Sequence, residues 1–303
     1  MDSFCQQLIN GLALGSIYAL IALGYTMVYG VLRFINFAHA DVLMLGAFSA
    51  YFLSPAVQKL LPLPGVGGAL VVMLLAAMIC AGFGVLIEIL AYRPLRGRPK
   101  LTVLITAIGV SLLIEYSCQH RAVFGAATRP FPELISEKNL EVLGLTISSN
   151  DLVVVLVTAI LLVAMWFIVH RTRVGTAMRA VSFNPQAAAL MGININRVIS
   201  FTFGLGSALA AVAGILYALK APGIEPLMGI HPGLRAFVAA VLGGIGNLPG
   251  ASLGGLLLGL LETFAGGIPG LSNYRDAIAF AILILILLFK PAGLLGKSTI
   301  EKV

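Results

Sequence analysis

Residues 151–170 read DLVVVLVTAILLVAMWFIVH, an apolar block with a single acidic residue at its start. A helix of this length spans about 30 Å, the thickness of the hydrocarbon core of a bilayer. Similar blocks occupy residues 8–31, 40–57, 69–91, 101–119, 198–219 and 277–289. Because the blocks are continuous and lack the alternation of membrane strands, they predict transmembrane helices and not a strand barrel.

The composition of the whole chain agrees with this interpretation. Of the 303 residues, 59% are apolar and 10% are charged, and the mean hydropathy is +1.03. One aqueous core cannot bury so much apolar surface, so lipid must surround it. The first block lacks the basic start of a signal peptide and is expected to remain as a helix. We therefore predict an all-α, polytopic transmembrane helical bundle, a single domain over residues 1–303 with about seven to nine membrane segments.

The basic residues predict the orientation of the chain. A net charge of +7 could indicate nucleic-acid binding, but these residues lie in short loops, where Lys and Arg favour the cytoplasmic side. One assignment places 12 of 19 inside, opposed only by Glu301, with the N-terminus outside, the C-terminus inside and an odd number of crossings. The cytoplasmic set is Arg33, Arg93, Arg96, Arg98, Lys100, Arg171, Arg173, Arg179, Arg197, Lys290, Lys297 and Lys302, and the outer set includes Lys220, Arg235, Asp151 and Asp276.

Two segments break the apolar pattern. GGIGNLPGA at 243–251 divides residues 234–264 into halves, 236–246 and 251–264, of about 11 and 14 residues, each shorter than the roughly 20 of a full crossing. This stretch must contribute no crossing or two, and a hairpin entering from one face is the simplest arrangement. Residues 33–41, RFINFAHAD, form the second break. Irregular backbone at membrane depth is tolerated inside a bundle or beside a water-filled cavity.

Residues 171–197, RTRVGTAMRAVSFNPQAAALMGININR, form a polar segment between two apolar blocks. Within it Asn184 is a suitable N-cap, Pro185 suits the first helical position, and Gly192 supplies a left-handed stop. The predicted helix, 185–191, spans about 10 Å and is too short to be stable alone. We therefore interpret it as an element that docks on a partner.

Two short motifs resemble enzyme motifs, but neither has the context that its chemistry requires. GASLG at 250–254 matches the nucleophile motif G-x-S-x-G, but no strand precedes it. GKS at 296–298 ends like a phosphate-binding loop, but Pro291 replaces the first glycine. The four histidines and three cysteines have no catalytic or metal-ligand spacing. The sequence predicts no enzyme activity, no metal site and no cofactor, so that a partner subunit binds any ATP.

Acidic residues at membrane depth are costly and are candidates for function. Glu88 lies five residues before Arg93, which favours a structural role at the inner interface. Glu115 and Glu262 lie near the ends of their segments, where both are expected to reach water.

Asp41 is the strongest candidate because it lies beside Asn36 and His39 at the second helix break. Two interpretations are open for this group. One is a translocation path or gate, where exposed backbone groups contact a solute, and the other is capping of a helix terminus.

With these features in place, the sequence resembles the LivH-type permease subunits of branched-chain amino acid ABC importers along nearly its whole length. The matching segments are GSIYAL at 15–20, GYTMVYG at 24–30, INFAH at 35–39, AYRPLR at 91–96, AAVLGGIG at 239–246, GLLG at 293–296 and EKV at 301–303. So many matches in one order distinguish this resemblance from a single short motif.

The resemblance implies a multi-pass subunit of the bacterial inner membrane that imports leucine, isoleucine, valine or a related solute by alternating access. It also implies the partners, which are a second, LivM-like permease subunit, two cytoplasmic ATP-binding subunits and a periplasmic solute-binding protein. In such importers a short cytoplasmic helix of each permease seats in a groove on an ATPase.

The family pattern for that coupling loop falls here on Gly175, Ala180, Asn184, Ala188 and Gly192. The docking helix presents a small apolar face made by Ala187, Leu190 and Met191. The flanking Arg179 and Arg197 are expected to pair either with acidic groups of the ATPase or with lipid headgroups.

Two other classes of protein are alternatives. An ion-driven secondary transporter or channel without ATPases has no need of a capped cytoplasmic docking helix. An intramembrane enzyme needs a catalytic pair, and the sequence offers none.

Overall fold

The computed structural model describes residues 2–60, 65–142, 144–268, 270 and 274–296. Residues 297, 301 and 302 of the charge assignment, the motif at 301–303 and the end of the 296–298 motif lie outside them. The described helices are α1 (Asp2–Leu32), α2 (His39–Leu60), α3 (Val66–Ile87), α4 (Lys100–Gln119), α5 (Ser149–Arg171), α6 (Arg173–Phe183), α7 (Pro185–Leu190), α8 (Ile195–Lys220), α9 (Ile230–Gly243), α10 (Leu248–Gly267) and α11 (Arg275–Phe289).

The predicted helical membrane bundle is confirmed. Helices α1, α2, α3, α4, α5, α8 and α10 are each long and apolar enough to cross a bilayer. The prediction that the second half of the 234–264 stretch is too short to cross is wrong, because α10 has 20 residues. It begins earlier than predicted because Asn247 caps it, accepting a hydrogen bond from the Gly250 N–H at 3.3 Å.

Side-chain contacts sort the helix ends into two poles. At the first pole Gln6 of α1 donates to the Thr146 carbonyl at 2.9 Å, and Lys220 of α8 pairs with Asp151 of α5 at 2.6 Å. These residues belong to the start of α1, the start of α5 and the end of α8. The predicted outer residues Lys220 and Asp151 are therefore together.

The second pole gathers residues predicted to be cytoplasmic. Arg33, just after α1, donates to the Ser182 carbonyl at 3.4 Å, and Asn247, before α10, donates to the Leu295 carbonyl at 2.7 Å. The chain after α8 returns to this pole through α9, and α10 leads away from it again. Within the described residues seven helices are long enough to cross a membrane, whereas α9 and α11, with 14 and 15 residues, are shorter than a full crossing, so the odd number of crossings stays a prediction.

Small residues hold α1 against α10. A Cβ atom at Gly255 would overlap the backbone of Ala19, and one at Gly259 would overlap the backbone of Gly15. Such close approach lets van der Waals contact stabilise helices in lipid, where the hydrophobic effect does not drive their association. Here the small-residue spacing serves packing within the chain.

The sequence analysis missed three local features. At the first pole four short strands form two antiparallel pairs, β1 (Arg129–Pro130) with β4 (Gly223–Ile224) and β2 (Asn139–Val142) with β3 (Leu145–Ser148). A π-helical turn, Glu88–Tyr92, and a short 3₁₀ turn, Arg93–Leu95, continue α3. Helix α6 occupies a segment interpreted as loop. The π-helical turn and α6 position the sites described below.

Candidate functional site

Helix α6 connects α5 to the predicted docking helix. Thr172 caps it by accepting a hydrogen bond from the Gly175 N–H at 3.1 Å. Its buried face consists of Gly175, Met178 and Val181, spaced three residues apart as one side of a helix requires. The sequence analysis treated this segment as loop because its short amphipathic pattern contains a glycine and polar residues.

Gly175 lets α6 turn tightly against the end of α5. A Cβ atom there would overlap the carbonyl groups of Ile168 and Val169. Arg179, one turn later, donates to the same Val169 carbonyl and to the Thr176 hydroxyl, the latter at 3.3 Å. Although its side chain is exposed, Arg179 therefore braces α6 on α5.

The caps predicted for the docking helix are confirmed. The Asn184 side chain accepts a hydrogen bond from the Ala187 N–H at 3.0 Å, and the Asn184 N–H donates to the Ala180 carbonyl at 3.0 Å. At the other end Gly192 has φ of 82°, and the N–H of Ile193 reaches back to the Ala188 carbonyl at 3.0 Å. This is a Schellman stop. The helix ends at Leu190, one residue earlier than predicted.

Three large apolar side chains at the two ends of this element are exposed. Phe183, Leu190 and Met191 are 88%, 89% and 83% exposed, and we call these three residues the docking patch. Ala188 points the other way and is buried against the bundle. Phe183 was not predicted because it precedes the N-cap and belongs to α6, which the sequence did not indicate.

The predicted second break, 33–41, is irregular only over 33–38, because α2 already begins at His39, and this loop returns into the bundle between α1 and α2. Arg33 has a left-handed backbone, with φ of 55°, and turns the chain sharply after α1. Asn36 is then buried, and its side-chain oxygen accepts a hydrogen bond from the Tyr92 hydroxyl at 2.6 Å. The irregular loop is thus tied to the π-helical turn after α3.

His39 begins α2 inside the bundle. Its ring packs on Tyr25, with ring centroids 4.7 Å apart, and fills the space that a Cβ at Gly24 would need. Within the described residues its Nε2 atom has no hydrogen-bond partner. Close contact with α1 therefore depends on the glycine opposite the imidazole.

Asp41 faces a different helix. Its carboxylate accepts a hydrogen bond from the Ser111 hydroxyl of α4 at 2.5 Å, and the Glu115 carboxyl of the same helix lies nearby. Glu115 is buried, so the expectation that it reaches water is wrong, because α2 packs over it. Asn36 in the loop and His39 and Asp41 in the first turn of α2 lie close together in the chain, but their side chains diverge toward the π-helical turn after α3, toward α1 and toward α4.

Helix α9 begins beside the same break. Its N-cap Gly229 and its fourth residue Gly233 both pack on Ala40 of α2, too closely for a side chain. Two helices thus begin next to each other within the bundle, as in transporters whose discontinuous helices surround a site. This region is the candidate gate.

Glu262 of α10 is also buried, so the expectation that it reaches water is wrong. Arg235 of α9 pairs with it at 2.7 Å and with Asp276 of α11 at 2.7 Å. The Tyr18 hydroxyl donates to Glu262 at 2.8 Å. The sequence analysis missed this network because its members are far apart in the chain.

Glu88 has the structural partners that the sequence predicted. It is fully buried, and its carboxylate accepts hydrogen bonds from Arg93 at 2.9 Å and from Arg96. The Ser200 hydroxyl of α8 also donates to it, at 2.7 Å. The cluster joins the end of α3 to the start of α8.

Comparison with known proteins places these features in a family. Residues 7–287 match the model of the permease component of branched-chain amino acid transport systems. The chain is 41% identical to BraD, a high-affinity branched-chain amino acid transport system permease protein of Pseudomonas aeruginosa, and 39% identical to LivH of Escherichia coli K12, over 99% of this chain and 98% of each relative. It is 32% identical to the ribose import permease protein RbsC of Escherichia coli K12 over 43% of this chain and 42% of RbsC. No solved structure matches.

Proposed function

This chain belongs to the family of permease components of branched-chain amino acid transport systems, and on that premise we propose that it imports these amino acids with ATP hydrolysed by partner subunits. It is a membrane permease. We assign it to the inner membrane of a bacterium, where it receives leucine, isoleucine or valine from a periplasmic solute-binding protein. A second, LivM-like permease completes the pathway, and two cytoplasmic ATP-binding subunits supply the work.

The docking patch carries this proposal. Three large apolar side chains, Phe183, Leu190 and Met191, are each more than 80% exposed on this segment. Exposed apolar patches of this kind mark surfaces that bind another protein. A two-turn helix held by both its caps is rigid enough to enter a groove, and burial of the patch supplies affinity.

The other residues of the coupling loop shape this surface without belonging to it. Gly175 and Ala180 set the packing and the end of α6, Asn184 and Gly192 cap α7, and Ala188 seats α7 on the bundle. In this proposal they transmit force, because a helix that was loosely attached would move without displacing the bundle.

We assign the gate to the loop 33–38 and the first turn of α2, which together carry Asn36, His39 and Asp41. Each side chain contacts a different helix, so relative movement of α1, α3 and α4 would change all three contacts. Asp41 bonds to Ser111 of another helix, which favours a gate over capping of α2. Closure of the ATPase dimer would move α7 and open the bundle toward the periplasm, in alternating access.

The relatives are permease components of transport systems, which does not support the alternative of an ion-driven transporter or channel that works alone. The test is reconstitution in proteoliposomes with the companion subunits from the same genome. We expect leucine uptake that requires ATP and the binding protein. Equal uptake by this chain alone, driven by a proton or sodium gradient, would overturn the proposal.

A further inference from the structure

We propose that Glu88 is a positioning residue that links α7 to the buried Asn36–Tyr92 pair, so that movement of α7 reaches the gate through the π-helical turn. The inference rests on the proposed function, since it assumes that a partner displaces α7. It assigns a role in energy coupling to a residue that contacts neither the docking patch nor the gate.

Glu88 lies at the centre of a four-residue cluster. Its side chain is 0% exposed, yet it carries a charge at the cytoplasmic end of a membrane helix. Arg93 reaches one carboxylate oxygen at 2.9 Å and also donates to Ser200 at 2.8 Å, while Arg96 reaches the other oxygen. A buried carboxylate needs such partners, because an unpaired charge there would be strongly destabilising.

The π-helical turn gives the cluster its geometry. The N–H of Arg93 bonds to the carbonyl of Glu88, five residues earlier, so this turn holds one residue more than an α-helical turn. The wider turn lets Tyr92 point into the bundle toward Asn36 while the adjacent Arg93 folds back onto Glu88. π-helical turns of this kind often occur at functional sites. The gate partner Tyr92 and the cluster therefore belong to one short segment.

The other side of the cluster is the first turn of α8. Asn194 caps this helix by accepting a hydrogen bond from the Arg197 N–H at 3.1 Å. Asn196 then accepts a hydrogen bond from Arg96 at 2.5 Å, and Ser200, one turn on, contacts Glu88. Only the Schellman stop separates α7 from this turn, so a displacement of α7 also displaces the start of α8.

A cavity of about 470 Å³ lies between α7 and the π-helical turn. Its lining includes Pro185 of α7, Ile199 of α8, Tyr92 of the π-helical turn and Arg96 just beyond that turn. Solid packing cannot transmit force across this space, whereas the Glu88 cluster bridges its edge with charged hydrogen bonds. The cavity also leaves room for α7 to approach the bundle.

The experiment measures leucine uptake and ATP hydrolysis by the complete reconstituted transporter. Glu88→Gln removes the charge but keeps the shape, and Tyr92→Phe cuts the far end of the link. Asp151→Asn is the matched control, because it removes the charge of the Lys220 ion pair at the opposite pole. We expect uptake per ATP hydrolysed to fall at least tenfold in Glu88→Gln and Tyr92→Phe, with ATPase assembly retained, and to stay unchanged in Asp151→Asn.

Two further arms keep the outcomes distinct. Ser200→Ala removes the hydroxyl that donates to Glu88 and accepts from Arg93 but leaves Glu88 paired with both arginines, so it decides the question should Glu88→Gln not fold. In a folded Glu88→Gln protein, adding Ser200→Ala should lower the ratio little further, since both act on one link. An unchanged ratio of uptake to ATP hydrolysis in Glu88→Gln would overturn the inference. If Glu88→Gln does not fold, an unchanged ratio in Ser200→Ala would do so. An equal loss in Asp151→Asn would also overturn it. A wild-type complex that assembles no ATPase would instead refute the proposed function.

Discussion

Truncation of Leu190 to alanine should weaken ATPase binding without weakening the fold. The Leu190 side chain is 89% exposed and contributes little to packing within this chain. Exposed positions usually change folding stability by less than about 0.5 kcal/mol when substituted, and alanine is the best helix former. The binding energy and the folding energy of this side chain can therefore be measured separately.

The size of the effect follows from the burial of this side chain in a partner groove. Leu190→Ala removes three carbons, each worth about 0.8 kcal/mol when transferred out of water, or about 2.4 kcal/mol together. Since about 1.4 kcal/mol corresponds to a tenfold change, the dissociation constant should rise about 50-fold. Incomplete burial in the groove would reduce this value in proportion.

The assay is titration of the detergent-solubilised permease with the companion ATPase, with thermal unfolding measured on the same preparations. Leu285→Ala makes the same truncation on an exposed apolar position of α11 and should leave binding unchanged. Wild-type affinity in Leu190→Ala would refute the assignment of the docking patch. The same conclusion would follow if affinity fell only in proportion to a loss of folded protein.

Three other substitutions test the supporting structure. Asn184→Ala should remove the cap of α7 and lower the local stability of this helix by about 1 kcal/mol, which raises amide hydrogen exchange in 186–190 about fivefold, whereas Asn184→Asp should retain protection; equal exchange in both variants would argue against the cap. Gly175→Ala should cost about 1–3 kcal/mol by overpacking α6 on α5. Gly109→Ala, in open space on α4, should instead raise the free energy of unfolding by roughly 0.5–1 kcal/mol. If thermal unfolding showed Gly175→Ala to be the more stable variant, the close packing of α6 on α5 would be refuted. Glu262→Gln should cost about 3 kcal/mol by breaking a buried pair, while Asn at the more exposed Asp276 costs less than about 1 kcal/mol; equal losses would refute the burial argument.

Features that depend on neighbouring residues could be predicted well. The caps at Asn184 and Gly192 were predictable because capping involves residues within one helical turn. Glu88 and Arg93 were predicted as neighbours because they lie five residues apart. Helix α6 was not predicted because its glycine and mixed polarity are typical of a loop. The π-helical turn was not predicted because its apolar sequence resembles that of an ordinary α-helix.

The candidate gate could be located but not described from the sequence. A break in an apolar block marks Asn36, His39 and Asp41 as unusual, but it does not say what each contacts. Tyr92 lies 56 residues from Asn36, and Ser111 lies 70 residues from Asp41. Glu115 and Glu262 were both expected to reach water because each lies near the end of its helix. The position of a residue along its own helix does not reveal which other helix covers its side chain.

By itself the sequence determined that this chain lies in a membrane, which loops carry its positive charge, where the apolar pattern breaks and where a short capped helix lies in a polar loop. These properties follow from the transfer of side chains into lipid and from hydrogen bonds within single turns. Only the tertiary structure decided that Phe183 is as exposed as Leu190 and Met191, that Asn36, His39 and Asp41 contact three different segments, and that Glu88 joins the end of α3 to α8. In lipid, helix pairing depends on the close fit of small residues and on polar contacts between segments that are distant in the chain. The apolar pattern of the sequence does not indicate which helix surfaces fit together.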